Sequence, residues 1–292
     1  MGIVNGASNP QDKKTVVYQE DYFQEFVDGL KSKKYSGFIT GVPCLDRNIR
    51  PQATDLIVVG SRTSVGKTAF LANILVSMLR EKVPCLYCPT ESKPDQFLGR
   101  IAPMVVPIPA DKFRGRGFST SELAQVGNIV SLVGSMPLAI LDAASPNISE
   151  IRAAVKSSGC KVVFIDSLSR CSMPPEATRA LEIERFMVDL KTMCIELNVL
   201  CFLSVQLTRT TALNRCVTPG FTDIAGPSAI ENEADAVVFL WHNPKNEGDY
   251  SKTKISGVIA KNRHGRLDIF NLDLHRDNMR MLESSDGIVG YW

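Results

Sequence analysis

The plainest chemistry in this chain sits in one run, LIVVGSRTSVGKTAF, from Leu56 to Phe70. Apolar, mostly β-branched Leu56, Ile57, Val58 and Val59 lead into Gly60, Ser61, Arg62, Thr63, Ser64, Val65, Gly66, Lys67 and Thr68, after which an apolar helical pattern begins. A strand, a loop and a helix in that order bring the loop's backbone N–H groups, and those opening the helix, onto one anionic point. A phosphate chain suits this cradle: Lys67 would reach the β- and γ-phosphates, and the Thr68 hydroxyl would coordinate the Mg²⁺ that bridges them. The strict pattern G-x-x-x-x-G-K-S/T asks for glycine where Ser61 stands; Gly60 falls one place early.

Three further residues stand where strands are expected to end. The strand Val83 to Cys88 runs into Pro89-Thr90-Glu91. Ligands of open α/β sheets bind at the C-terminal strand edge, so Glu91 is a candidate general base or water-positioning group. An acid opening the helix before Pro94 explains it equally well. The apolar strand Lys161-Val-Val-Phe-Ile-Asp166 would set a carboxylate opposite the phosphate loop, where Asp166 holds Mg²⁺ through water. Val199 to Val205 ends in Gln206, an amide placed to sense the γ-phosphate or its attacking water. The loop from Leu207 to Ile230 that follows is long for a compact domain, and length of that kind marks function or mobility.

The elements that must position these groups are legible as an alternation of strands and helices. At 292 residues and 44% hydrophobic composition the chain can form one large α/β domain with an appendage. Residues 1–17 are polar and expected to be mobile. Tyr22, Phe23, Phe26, Val27 and Leu30 recur at helical spacing, giving an amphipathic helix within 18–36 that must dock on its own domain or on a neighbour. Gly37 to Asp46 reads as a turn before the first strand. Later helices are expected over Ala69–Lys82, 93–134 around a basic solvated loop, Ser149–Ser158 with a serine or glutamate cap, and Glu176–Leu197. Strands are expected at Pro137–Leu141, Ala236–Trp241 and Ile255–Lys261, with a last hairpin of Leu267–Leu274 and Met279–Glu283.

Bulk properties narrow the possibilities. A net charge of +2 is too small for bulk electrostatics to argue for a nucleic-acid partner, which must come from local loops. No run of about 18 apolar residues and no apolar signal core occur, so a soluble, unsecreted protein with no membrane partner is expected. Cys85 and Cys88 have metal-ligand spacing, but no second pair exists and their surroundings read as a buried strand. His242, His264 and His275 are too scattered for a metal site.

Taken together, TGVPCLD, SRTSVGKTAF, YCPTES, FIDSLSR, ALEIERFMVDLKTMCIELNV, SVQLTR, TDIAGPSAIENEADAVVFLW and IAKNRHG, in this order over residues 37–283, resemble the ATPase domain of the DnaB family of replicative helicases. The resemblance implies a RecA-like fold of class α/β, with a central mostly parallel sheet flanked by helices and a C-terminal antiparallel hairpin, over residues 37–292. It implies ATP and Mg²⁺ as cofactors and a homohexameric ring with ATP sites between subunits. Glu91 then looks like the water-activating glutamate, and Gln206 like the switch joining nucleotide state to DNA. Lys261 and Arg263 look like the pair that enters the neighbouring subunit's site, Arg263 as an arginine finger. A fixed bidentate cation suits charge developing on phosphoryl oxygens; the alternative for Arg263 is a surface arginine in a basic turn. The 18–36 helix looks like the family's linker helix, docking on the adjacent subunit.

Two departures from the family pattern matter. The family's large N-terminal domain has no counterpart in this sequence, which reads as a piece of a longer protein or a short phage, plasmid or element-encoded relative in a bacterial cytoplasm. Primase or loader partnership is therefore not assumed. In the central loop, Ala225-Gly226 and Ser228 replace an Arg-Glu pair and glycine, so single-stranded DNA contacts would fall to Arg209 and Arg215 and to main-chain N–H groups. The expected function is an ATP-driven motor that translocates on single-stranded DNA and unwinds duplex in replication. The alternatives are a RecA-like recombination ATPase and a nucleotide-gated adaptor that no longer engages DNA.

Overall fold

The computed structural model describes residues 27–31, 37–115, 117–207, 218–224, 227–242 and 252–284. The chain divides into two compact units, Met1–Gly37 and Phe38–Trp292. In the first, a helical segment, α1 (27–31), carries a Lys31–Asp28 pair at 3.4 Å and an exposed Leu30. The rest of the expected 18–36 helix and the expected mobile terminus lie outside the described residues.

The second unit is built on one nine-stranded sheet of order β3-β2-β4-β5-β1-β6-β7-β8-β9. Its strands are β1 (Leu56–Ser61), β2 (Cys85–Pro89), β3 (Leu138–Ile140), β4 (Val162–Asp166), β5 (Leu200–Gln206), β6 (Ala236–His242), β7 (Lys252–Asn262), β8 (Asp268–His275) and β9 (Met281–Glu283). The first six pair in parallel, and β7 to β9 extend the same sheet in antiparallel fashion. The expected C-terminal hairpin is thus a continuation of the central sheet.

Alternation along β1 shows how the sheet is covered. Ile57 and Val59 join one buried cluster with Phe70, Leu71 and Ile74 of α3 (Lys67–Arg80) and Phe97 of α4 (Pro94–Val105). Leu56 and Val58 join another with Ile151 and Val155 of α6 (Ile148–Ser158) and Phe186, Met187 and Leu190 of α7 (Arg179–Leu197). Strands buried on both faces read as continuous apolar runs, which is why β1, β2, β4 and β5 look as they do in sequence. Cys85 and Cys88 fall in different clusters on opposite faces, so they cannot ligate one ion. Among the described residues no helix is long and apolar enough to cross a membrane.

Some expectations needed correction. The segment read as a turn contains a helix, α2 (Pro43–Asn48), begun by Pro43 at its first turn, where the missing N–H costs nothing. α6 is capped by Asn147, whose side chain and Glu150 form a reciprocal box, rather than by serine or glutamate. The stretch 93–134 holds α4, a 3-10 turn and α5 (Thr120–Gly134). Within the long loop lie a 3-10 turn, Phe221–Asp223, and α8 (Pro227–Glu233).

Register decides what shares an edge. Ser61 pairs with Gln206, and Pro89 with Asp166, so the phosphate loop, Gln206, Asp166 and Glu91 gather at the C-terminal edge of the parallel strands. Val237 pairs with Lys261 and Ala236 with Asn262, which puts the Lys261–Arg263 turn at the opposite edge. The six residues of β1 separate the two edges by roughly 20 Å.

Candidate active site

The phosphate loop owes its shape to two left-handed residues, Ser64 at φ 65° and Gly66 at φ 115°, the latter opening α3. A side chain on Gly66 would be strained in that backbone region and would also press on Met281 at 3.1 Å. The displaced glycine has a packing reason: a Cβ on Gly60 would lie 2.7 Å from the Phe239 ring. Ser61 is a buried strand residue with ordinary backbone angles, its hydroxyl donating to the Arg62 carbonyl at 2.9 Å, so no glycine is required there. Val65 is buried and anchors the loop, its N–H donating to the Arg62 carbonyl at 3.4 Å.

A cavity of about 450 Å³ opens over this loop. Thr63, Ser64, Gly66, Lys67 and Thr68 form its floor, Glu91 and Gln206 stand on its sides, and Ala72, Met104, Leu274 and Met279 give it an apolar wall. Lys67 Nζ donates to the Ser61 carbonyl at 3.2 Å. Burial pulls the Lys67 pKa down, opposed by the charges of Asp166 and Glu91. Such a cation gains most from a polyanion in the cavity. Gln206 Nε2 donates to Thr63 Oγ1 at 2.8 Å, so the amide reaches into the loop itself. Leu207 continues from it, donating its N–H to Ser61 O at 3.0 Å and bridging Ile224, so the long loop begins beside the cradle.

Asp166 is buried, with Tyr87 OH donating to Oδ2 at 3.0 Å and Ser204 Oγ to Oδ1 at 2.6 Å. Burial, then the adjacent Asp166 charge, holds the Tyr87 phenol well above its ordinary pKa, so it remains a donor. A carboxylate so occupied, behind the cavity wall, fits a metal reached through water rather than a direct ligand, while Thr68 lines the cavity itself. Glu91 is exposed, and its Oε1 accepts from Ser167 Oγ at 2.6 Å.

Lys261 and Arg263 are absent from this cavity. Lys261 Nζ donates to the Glu231 carbonyl and Arg263 Nη2 to the Asn232 carbonyl, both in the last turn of α8. Arg263 Nη1 also meets Asp235 Oδ1 at 3.2 Å. Burial and the neighbouring Arg263 charge lower the Lys261 pKa. Buried Asp235 further accepts from Lys191 Nζ at 2.5 Å and the Leu56 N–H at 2.8 Å. His264 comes into a group with Asp55 and Asp235 whose ligand atoms lie within 4.8 Å of one another. Two cations already hold Asp235, so this is a charge cluster and a poor metal site. Arg209, Arg215 and Ala225-Gly226 lie outside the described residues.

Sequence reasoning missed Arg100, which lines the cavity, and Tyr87, Ser204 and Ser167, which hold the two carboxylates. Arg100 carries a signal: it shares a helix face with buried Phe97, Ile101 and Met104, where an arginine is out of place unless it faces a polar cavity. The other three are ordinary residues of apolar strands and their ends, and only the sheet's register reveals their partners.

The sequence family described as DnaB-like helicase C terminal domain matches residues 37–283. The replicative DNA helicase DnaB of Geobacillus stearothermophilus is 30% identical over 251 residues, 81% of this chain and 55% of that protein. That of Pasteurella multocida (strain Pm70) is 28% identical over 243 residues, 80% of this chain and 52% of that protein. A probable replicative DNA helicase of Trieres chinensis is 26% identical over 282 residues, covering 91% and 62%. The chain therefore spans about half to three fifths of these relatives. Among solved structures, one described as an ATPase domain superposes with a TM-score of 0.84 at 20% identity, covering 93% of this chain and all of that one. A DnaB-like replicative helicase described with its primase interactions gives 0.78 at 20% identity, covering 93% and 68%. The RecA-like sheet, the cradle at its edge and a match over nearly all of the second unit agree: this chain belongs to the DnaB-like helicase C-terminal domain family.

Proposed function

We propose that the chain is the ATP-hydrolysing motor of a ring helicase that moves on single-stranded DNA and separates the duplex ahead of it during replication. The observation that carries this reading is the division of the machinery between two edges. One chain offers a cradle, a base and a sensor around one cavity, while its two fingers stand at the other edge. A head-to-tail ring brings the second edge of one copy to the first edge of the next, so hydrolysis depends on assembly.

In this reading the loop N–H groups and Lys67 bind the β- and γ-phosphates of ATP, and Glu91 orients and deprotonates the attacking water. Thr68, with Asp166 through water, would hold a Mg²⁺, which would supply neutralising charge at the phosphates. Lys261 and Arg263 of the neighbouring copy leave the α8 carbonyls and meet the charge that develops on the γ-phosphoryl oxygens. Gln206 exchanges Thr63 for the γ-phosphate and shifts the loop after it, which carries Arg209 and Arg215 to the DNA backbone. The helix over 18–36 docks on the adjacent subunit. Primase or a loader is a further partner class, and the bacterial cytoplasm is the compartment this function requires.

The test is ATP turnover with and without single-stranded DNA, with strand displacement from a forked duplex and a mass measurement in non-hydrolysable nucleotide. Stimulation by DNA, displacement with one polarity and a ring-sized mass are expected. Stimulation without displacement would favour a recombination ATPase. Turnover indifferent to DNA would favour an adaptor and end the motor reading.

A further inference from the structure

Glu91 is exposed at the cavity, yet it is firmly held. Ser167, wholly buried, donates from Oγ to Glu91 Oε1 at 2.6 Å, and Ser169 Oγ lies 2.7 Å from the same serine oxygen. The backbone around this hydroxyl is secured separately. Ser167 N–H donates to Thr90 Oγ1 at 2.7 Å, and the Thr90 hydroxyl donates to the Ser167 carbonyl at 3.2 Å. The main chain of Ser167 therefore ties β4 to β2 through Thr90, and its hydroxyl is left for Glu91.

Proton counting gives the chain a direction. An ionised carboxylate only accepts, so Ser167 must donate to Glu91. Its single proton is then used, and Ser169 must donate to Ser167. Two hydroxyls in series polarise one another and end on Oε1. Glu91 Oε2 has no protein partner among the described residues.

We propose that Ser167, backed by Ser169, is the positioning residue of Glu91, engaging Oε1 so that Oε2 is the atom that takes the proton of the attacking water. The inference rests on Glu91 being the base in the reading above. Water's O–H bond breaks as its oxygen bonds the γ-phosphorus, the proton passes to Oε2, and the ADP oxygen departs. The hydrogen bond from Ser167 survives the transfer, because Oε1 of the neutral acid still accepts.

The test is ATP turnover by the 292-residue chain with kcat and KM separated, and with thermal melting recorded for each variant. Ser167→Ala is expected to lower kcat about tenfold with KM unchanged, the loss of one charge-assisted hydrogen bond expressed after binding. Ser167→Thr, which keeps the hydroxyl, should recover most of that loss. Ser169→Ala should lower kcat to a lesser degree, and because Ser169 is exposed this variant reads out even where Ser167→Ala melts early. Adding Ser167→Ala to Glu91→Gln should change nothing further. Wild-type kcat in Ser167→Ala, or a raised KM alone, beside an inactive Glu91→Gln would overturn the proposal and leave the base in place. Full turnover by Glu91→Gln would remove the base itself, and the proposal with it.

Discussion

The two edges of the sheet treat their charged groups in opposite ways. At the phosphate-loop edge, among the described residues, Lys67 and Gln206 donate to neutral atoms, Ser61 O and Thr63 Oγ1, and face a cavity. At the other edge Lys261 and Arg263 are spoken for, by the last carbonyls of α8 and by Asp235. Cations at a helix C-terminus meet the negative end of its dipole, so Lys261 and Arg263 rest in a favourable place. In the proposed reading the first edge receives the nucleotide and the second is lent to a neighbour's.

The strongest way to break that contrast is to disable each edge in turn. Lys67→Ala should abolish turnover and weaken nucleotide binding, because the half-buried ammonium is the cradle's principal countercharge. Arg263→Ala should cut turnover by about 10³ or more while nucleotide still binds. Mixing the two inactive variants is the decisive measurement. Interfaces that join the intact loop of one to the intact finger of the other should restore part of the activity. A mixture as dead as its components would falsify completion between copies.

Next in size is the anchor of the second edge. Asp235→Ala removes the partner of Lys191 and of the buried Leu56 N–H as well as that of Arg263. Breaking a buried pair from one side costs about 3 kcal/mol or more, so denaturant melts should show a loss of that order. The folded fraction should still bind nucleotide, since no atom of Asp235 lines the cavity. None of this was legible in the sequence. Asp235 follows α8, Lys191 is on α7 and Arg263 follows β7; the pairing of β6 with β7 brings Arg263 to Asp235, and the packing of α7 against α8 brings Lys191. The strand, loop and helix around Lys67 were legible because they are local, within fifteen consecutive positions.

Even there, one position misleads. Gly60 reads as a misplaced loop glycine, yet it is kept small by Phe239 from β6, a contact the sequence cannot display. Gly60→Ala should therefore cost about 1–3 kcal/mol of stability through overpacking. Ser61→Gly should be milder, because it forfeits the bond to Arg62 O and some backbone order but meets no clash. Comparing the two melts separates packing from phosphate chemistry at adjacent residues. The helix α2 and the Asn147 cap were missed for a related reason: short elements carry little periodicity, and their ends are fixed by single side chains.

The smallest effect expected on turnover is at Gln206, and it bears on whether the receiving edge also reports. Gln206 is uncharged, so exchanging Thr63 Oγ1 for a phosphate oxygen trades one hydrogen bond for a stronger one without burying a new charge. Its neighbour Leu207 is bonded to Ser61 O, so any shift is felt where the long loop begins. Gln206→Ala should leave basal hydrolysis within a few-fold of normal and remove its stimulation by single-stranded DNA. Gln206→Glu makes the sharper control: a carboxylate can accept from Thr63 but repels a γ-phosphate, so KM for ATP should rise where the alanine variant leaves it alone. If both substitutions leave DNA stimulation intact, the coupling runs through another part of the edge, and Gln206 is only a wall of the cavity.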